Sequence, residues 1–385
     1  MTRLTEYAEQ GFPVLFVGPL PEKSPYYSPE ADTYVKHGVL NLLAYPSVRN
    51  LSSESEVVAA LKELGVTPAA ENISPSPILY VHRWDANNSV DYYWVYNSDI
   101  YTSHATEASL RGSGIPYTLD AWTGAIAPVL NYTTTGDRFN LWFDLKSNQS
   151  TIVAFAPRGF FSDVRVPSLH VRHTDAEYLK FSRESNTLTA RSTTNTTRTV
   201  ALSDGQNHTF GSTASLSPPF ELSPWNLTVQ DWQPGPDPTT NYSSVFTYHH
   251  LTLDELIPWY NISGLQNTSG IGTYTTQFTW SPNNATAGAL LDLGPVLNTV
   301  RLWVNDQWTG PIDITDAVVD VGPYLIKGLN SLRVETSSTL RNRLIQVNVT
   351  QSWEQAEYAG TYGGQPYGLG APVTLIPYRE LSIAL

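Results

Sequence analysis

Cysteine is absent from the 385 residues and methionine occurs once. Without thiols there can be no disulfide, no zinc–thiolate site and no cysteine nucleophile. That absence leaves the compartment undecided, because a large secreted domain can fold without staples. Charge is scarce as well, at 15% of residues, and basic charge is scarcer still: 22 Lys and Arg stand against 35 Asp and Glu, a formal net charge of -13. Such a chain repels nucleic acid and anionic lipid and lacks the electrostatic attraction on which their binding depends. No run approaches the roughly 18 consecutive apolar residues that cross a bilayer, and the N-terminus has no basic region followed by an apolar core. Nucleic acid and membrane are therefore excluded as expected partners, and the chain as written shows neither anchor nor signal peptide.

Apolar residues make up 41% of the chain and aromatics 12%, with Trp 11, Tyr 22, Gly 25 and Pro 27. The balance is that of a globular protein rather than a disordered one. Abundant aromatics with frequent Gly and Pro favour short strands and turns, so the expected class is mainly β. Of 23 Asn, 13 stand in N-x-Ser/Thr sequons: Asn50, Asn72, Asn87, Asn131, Asn148, Asn195, Asn207, Asn226, Asn241, Asn261, Asn267, Asn284 and Asn348. Chance would place about five there, and the motif has meaning only for a secretory protein. The expectation is an extracellular, secreted glycoprotein that lacks its signal because it is the C-terminal portion of something longer.

The first 75 residues read as α/β. Leu4, Tyr7 and Ala8 recur at helical spacing, Val14 to Val17 form a continuous apolar run, and Ser53 with Glu56 makes a capping box before a helix that Gly65 stops. Too few strands are present to complete such a layer. Residues 76–212 read as a β-sandwich, with strands expected at 78–84, 92–96, 138–145, 151–155, 168–173, 187–191 and 197–202. Residues 213–240, rich in Pro and Ser, read as a linker or long crossing loop. Residues 241–385 read as a second β domain, with strands at 273–280, 289–293, 299–305, 331–334, 344–349 and 373–377. In the strand 299–305, Val300, Leu302 and Val304 face one way, toward the core, and Arg301, Trp303 and Asn305 the other. The expected architecture is two β-sandwich or jelly-roll domains preceded by an incomplete α/β segment.

Few residues offer chemistry. His170 and His173 fall on opposite faces of an expected strand, as do His249 and His250, which argues against a histidine metal site. No Gly-x-Ser-x-Gly elbow and no glycine-rich phosphate cradle occurs. Paired carboxylates would matter for a glycosidase, and Asp120, Asp292, Asp313, Asp316, Asp320, Glu354 and Glu357 are candidates. Each reads more simply as a turn or edge residue, and nothing in the spacing pairs any two. Trp303, with Asn305 and Trp308 at the following turn, is the candidate sugar platform, since flat indole faces stack on sugar rings. Packing of both rings against a neighbouring domain is the plainer alternative.

Residues 269–274 (Ser-Gly-Ile-Gly-Thr-Tyr), 278–280, Leu291-Asp292-Leu293-Gly294, Leu302-Trp303-Val304-Asn305 with Gly310, Lys327 to Leu332 and Leu340 to Leu344 resemble, in order and spacing, the galactose-binding-like, jelly-roll sugar-binding domain associated with family two glycoside hydrolases. Asp306 departs from the family turn, which has Gly after Asn. Upstream, Tyr80-Val81-His82-Arg83, Tyr92 to Asn97 and Leu119 to Gly124 resemble the β-sandwich that follows the catalytic barrel in α-L-rhamnosidase-like glycoside hydrolases and their fungal secreted relatives. Gly368 to Val373 is similar to their closing segment and Gly11 to Pro21 to the layer just after their barrel. The resemblance implies that the catalytic carboxylates belong to a barrel elsewhere in the parent protein, so no catalytic residue carries over to this chain. The leading reading is the non-catalytic, sugar-binding C-terminal portion of a secreted glycoside hydrolase, with carbohydrate and the upstream barrel as partners and no cofactor. Alternatives are a free carbohydrate-binding or adhesion module, and a complete small glycosidase. Asp and carbonyl ligands follow no spacing rule here, which leaves a structural calcium open.

Overall fold

The computed structural model describes residues 1–25, 28–182, 184–211, 215–236, 243–346 and 364–385. Glu354, Glu357, Asn241, Asn348 and the end of the strand expected at 344–349 lie outside the described residues. The chain divides into two compact units, Met1–Ala69 and Ala70–Leu385.

The first unit carries helix α1 (Thr2–Glu9), strand β1 (Val14–Val17), helix α2 (Pro29–Leu42), strand β2 (Val48–Leu51) and helix α3 (Val57–Glu63). β1 and β2 pair in parallel, and Ala8, Leu42 and Val48 form a small core with Leu4, Val14 and Phe16. The helix α2 is not marked by its hydrophobic pattern, and His37-Gly38 in its interior weakens its propensity. Its start is nonetheless written locally: the Ser28 hydroxyl accepts the Ala31 N–H at 3.3 Å, Pro29 takes the first helical position, and Glu30 and Asp32 face the positive end of the dipole. The capping-box helix begins later than its pattern implies, because 54–56 form a 3-10 turn before α3.

The second unit is β throughout apart from short turns of helix. Strands β3 (Ala70–Asn72), β4 (Ile78–Asp85), β5 (Val90–Asn97), β6 (His104–Arg111), β7 (Ile115–Leu119), β8 (Ile126–Pro128), β9 (Tyr132–Thr135), β10 (Arg138–Leu145) and β11 (Ser150–Ala156) form two sheets, ordered β3-β6-β10-β9 and β4-β5-β11-β7-β8. Strict alternation builds the space between them. Phe139, Leu141, Phe143 and Leu145 of β10 are buried, while Asn140, Trp142 and Asp144 face outward. Phe139 and Phe155 meet across the sheets at 4.7 Å. Asn97, buried, donates to the carbonyls of Thr102, Leu145 and Lys146 and so ties one sheet to the other.

A smaller pair of sheets follows. β12 (Val171–Thr174), β15 (Arg198–Leu202) and β16 (Asn207–Phe210) face β13 (Tyr178–Ser182) and β14 (Thr187–Ser192) across a core of Val171, Leu188, Val200, Leu202 and Ile383. The third strand of the second sheet is the C-terminal half of β26 (Thr374–Ala384), which pairs with β14 through residues 379–384.

The last sandwich has one sheet ordered β19-β18-β20-β25-β22-β23, made of β18 (Trp225–Pro234), β19 (Ser244–Leu253), β20 (Gly270–Trp280), β22 (Thr299–Val304), β23 (Gln307–Trp308) and β25 (Gly328–Ser337). Against it lie β17 (Phe220–Glu221), β21 (Gly288–Asp292), β24 (Val318–Asp320) and the first half of β26. Trp225, Leu227, Tyr274, Leu302 and Val334 interlock with Leu291, Val321 and Leu375.

The fold departs from the sequence pattern in three places. The segment 213–240 is not a linker throughout, because β18 is a ten-residue strand paired on both sides, with Trp225, Leu227 and Val229 in the core. Pro218, Pro219 and Pro224 precede the strand and Pro234 ends it, positions where a missing N–H costs least. The boundaries 76–212 and 241–385 do not separate domains cleanly, since β26 is shared by the two sandwiches. Residues 341–346 form helix α4 (Arg341–Gln346) where a strand from Leu344 was expected.

Candidate functional site

A cleft of about 770 Å³ opens on the outer face of the β6–β10 sheet, within the size range of ligand sites, roughly 300–1,000 Å³. Its floor comes from alternation: Trp142 and Asp144 of β10 point out, with Glu107 of β6 paired opposite Trp142. Residues 172–178 form one wall and Asp316, from the loop before β24, another. Trp142 is 59% exposed and Tyr178 43%, so both rings present faces that folding has left uncovered. Tyr132 lines the same cleft and stacks on His170 at 4.0 Å. Burial and the Arg172 charge hold the His170 ring below the ordinary imidazole range, so it serves as a neutral stacking partner.

The carboxylates of the cleft fall into two groups. Asp175 accepts the Thr199 N–H at 2.6 Å, and Glu177 accepts Arg198 and the Thr193 N–H, so both serve the local fold. Glu107, Asp144 and Asp316 carry no side-chain hydrogen bond to any described residue. Burial holds the Asp316 carboxyl above the usual carboxylate range; Lys146 opposes this, and the charges of Asp313, Asp292 and Asp144 add to it. The Tyr178 hydroxyl is raised in turn by burial and by Asp316, Glu177, Asp292 and Asp144. Aromatic faces beside unengaged carboxyl groups match what a sugar offers, an apolar ring face and a rim of hydroxyls.

The linkage for Asp316 has a definite sign. Its folded pKa lies above the unfolded value, so the native state binds more protons in the window between them and stability falls as pH rises through it. Asp316→Asn is expected to remove that loss, and urea unfolding of both proteins from pH 4 to 7 checks it. Parallel pH profiles would show that Asp316 titrates normally.

The other candidates are distributed differently. Leu302 and Val304 are buried, and Trp303 is half-buried on the opposite face, with the Arg333 guanidinium 3.7 Å above its ring. Trp308 is its cross-strand partner and is 54% exposed. Asn305 and Asp306 both take positive φ, +51° and +61°, so the tight turn forms without the family glycine. Asn305 is consumed by the fold: its amide donates to the Tyr324 carbonyl and to Asn330, and its oxygen accepts the Ser331 N–H. Of the three candidates, Trp303 and Trp308 keep exposed surface, Trp303 with Arg333 over its ring, while Asn305 is engaged.

Asp120 caps its own turn by accepting the Trp122 N–H and Thr123 hydroxyl; Asp292 accepts the Gly294 N–H; Asp313 accepts Thr315 and Gln149; Asp320 pairs with Arg191 and Tyr378. Of the carboxylates proposed from sequence and described, only Asp316 stands unengaged in the cleft. Trp142, Tyr178, Glu107 and Asp144 were not singled out from the sequence. The signal for two of them was present, as the alternation Asn140, Trp142, Asp144 between four apolar residues.

Among the described sequons, Asn50, Asn87, Asn148, Asn195, Asn207, Asn226, Asn261, Asn267 and Asn284 are exposed and Asn72 and Asn131 half-buried. Asn72 is engaged, donating to the Ile78 carbonyl at 2.9 Å and accepting the Tyr80 hydroxyl.

No protein-family profile and no curated protein sequence matches the chain. Among solved structures, a rhamnosidase from Novosphingobium sp. PP1Y matches 99% of the chain at a TM-score of 0.53 and 19% identity. The fold is similar to part of that enzyme. The chain spans about a third of its length, 32%. A β-glycosidase from Bacteroides vulgatus matches 42% of this chain and 20% of its own at TM-score 0.24 and 18% identity. A β-glucuronidase from Faecalibacterium prausnitzii matches 44% and 32% at TM-score 0.26 and 14% identity. Those two scores are too low for a shared whole-chain fold.

Proposed function

We propose that this chain is the carbohydrate-binding, non-catalytic C-terminal portion of a larger secreted glycoside hydrolase of the α-L-rhamnosidase-like kind, and that it holds neutral glycans in the Trp142 cleft. The observation that carries the reading is the cleft itself: two exposed aromatic faces, Trp142 and Tyr178, beside three carboxyl groups, Glu107, Asp144 and Asp316, that make no side-chain hydrogen bond to any described residue. The fold similarity to about a third of a rhamnosidase supports the parent enzyme's class. Exposure of nine sequon asparagines supports secretion, because a glycan needs a side chain in solvent. The galactose-binding-like character of the last sandwich belongs to the same proposal.

An aromatic stacking face contributes about 1–1.5 kcal/mol, or roughly tenfold in affinity. Trp142→Ala is therefore expected to weaken binding of a rhamnose-containing oligosaccharide about tenfold in a calorimetric titration, with unchanged thermal stability because the ring packs on little. Equal affinity in the two proteins would remove the cleft from the proposal.

One observation favours a second reading, a complete small glycosidase: burial, with the Asp144 charge among its neighbours, raises the Asp316 carboxyl, the direction an acid catalyst requires. The two readings part on turnover. Under the first, the chain cleaves no aryl-rhamnoside or aryl-galactoside above background; turnover that vanishes in Asp316→Asn would establish the second.

A further inference from the structure

The loop before β24 lines two cavities. Asp316 faces the cleft described above, while Asp313 lines a separate pocket of about 300 Å³ on the outer face of the β5–β11–β7 sheet. We propose that this second pocket is an independent carbohydrate subsite that takes a single pyranose ring of a neutral glycan between Trp94 and Trp122. The proposal rests on the reading that the chain handles carbohydrate.

Two of the residues that line the pocket are tryptophans held in place and left uncovered. Trp94 is 44% exposed and stacks on Tyr96, at 4.5 Å between ring centres and 16° between planes, so its outer face keeps one orientation. Trp122 is 45% exposed at the tip of a turn closed from both sides. The Asp120 carboxylate accepts the Trp122 N–H at 2.8 Å and the Thr123 hydroxyl at 2.6 Å, and the Gly124 N–H returns to the Asp120 carbonyl at 2.8 Å. Gly124 takes φ +73°, which lets the chain fold back there. A folded chain gains by burying tryptophan, so a rigid turn that holds one out against a second exposed tryptophan needs an occupant to account for it.

The floor and rim identify that occupant. Ile152 and Leu119, paired across β11 and β7, make an apolar base. Asp120, Gln149 and Asp313 supply polar groups at the edge, and the Gln149 amide donates to Asp313 at 3.0 Å, which fixes both. The volume lies at the small end of ligand cavities, enough for one ring and not for an extended chain. An apolar base with a hydrogen-bonding rim suits a sugar better than an apolar protein face. Among the described residues no Lys or Arg lines the pocket and two carboxylates do, so an acidic sugar is repelled and a neutral one is not.

The test uses the full chain labelled with 5-fluorotryptophan, with resonances assigned from Trp94→Phe, Trp122→Phe and Trp142→Ala. Methyl α-L-rhamnopyranoside is the neutral probe and galacturonate the acidic control. Trp94 and Trp122 are expected to shift together with the neutral probe, also in the Trp142→Ala protein. Trp122→Ala is expected to weaken the Trp94 response about tenfold, and Gln149→Ala to weaken both without touching a ring. A response at Trp142 alone would overturn the second subsite while leaving the carbohydrate reading intact. No response at any tryptophan would overturn both, and equal shifts with galacturonate would overturn the assignment to neutral sugars.

Discussion

Adding one methyl group at Gly368 is expected to lower the stability of the β unit by about 2–6 kcal/mol, the sum of backbone strain and overpacking at about 1–3 kcal/mol each. Gly368 takes φ +89°, a conformation that side chains with a Cβ resist. Its missing side chain is also where three parts of the sandwich meet. The Trp259 indole donates to the Tyr274 hydroxyl at 2.7 Å, and the same hydroxyl accepts the Leu369 N–H at 3.1 Å. A Cβ at position 368 would lie 2.6 Å from Trp259 Cδ1 and closer still to the Tyr274 hydroxyl. Trp259 and Tyr274 are fully buried, so neither ring can move aside. Burial first, relieved in part by these two donors, pushes the Tyr274 hydroxyl up to about 12. The Trp259 ring also rests on Gly272, where a Cβ would overlap it. Gly264 is the control, since it takes φ +86° with nothing near its missing Cβ. Urea unfolding followed by tryptophan fluorescence should show Gly264→Ala losing only the strain. If Gly368→Ala were no worse, the contacts with Trp259 and Tyr274 would add nothing to the cost of strain.

Arg343→Ala is expected to cost about 3–5 kcal/mol, because it leaves an ion buried without its partner. Asp231 is 2% exposed, and Arg343 reaches both of its oxygens, at 2.6 and 2.7 Å. Gln233 donates to it at 3.0 Å and His249 lies at 3.4 Å. Burial alone would raise the Asp231 carboxyl; the Arg343 hydrogen bonds and charge, with Gln233 and His249, outweigh it and hold the carboxyl below its usual range. The folded pKa is depressed, so the pair's contribution is fully present above the unfolded carboxylate value of about 3.9 and is lost as pH falls through the folded value. Without Arg343 the carboxyl rises instead, and the variant loses stability as pH increases. The gap between the two proteins should therefore narrow in acid, which unfolding at pH 4 and pH 7 measures. Both contacts come from the single Nη2 of Arg343, so Arg343→Lys should recover the part of the loss that one cationic nitrogen supplies and not the part that depends on the longer, planar guanidinium. A gap that stayed constant with pH would mean that lost packing, not the stranded charge, dominates.

Residue pattern made many strands of the second unit legible, though not β6 or β7, which were not expected from the sequence. Arg138–Leu145 alternates without a break, and the structure has the strand with those bounds. Strand β19 was missed because its burial does not alternate cleanly: it is an edge, exposed over much of its length. Strand β18 was hidden by the Pro-rich residues around it, although Trp225, Leu227 and Val229 alternate within it. The helix α4 carries Arg343, and its last turn, Leu344 to Gln346, has the apolar character that suggested a strand. Its Arg343 reaches Asp231, 112 residues away, a contact that local pattern does not record.

Composition alone excluded thiol chemistry and argued against polyanionic partners, because charge and the absence of cysteine act at any geometry. Local pattern carried the β class, the tight turn at Asn305 and the outward face of Trp303, since a strand's period of two needs no partner to be read. The candidate site was different. Trp142, Tyr178 and Asp316 are far apart in sequence, and only the packing of three β-sandwiches brings them to one cleft. Asp316 looks like any turn aspartate until burial and the charges of Asp144, Asp292 and Asp313 act on it. Asn305 looked available until the fold was seen to use all of its hydrogen-bonding groups. Which polar side chains are spent on structure and which are left for a ligand depends on contacts between distant segments, and no spacing rule encodes those.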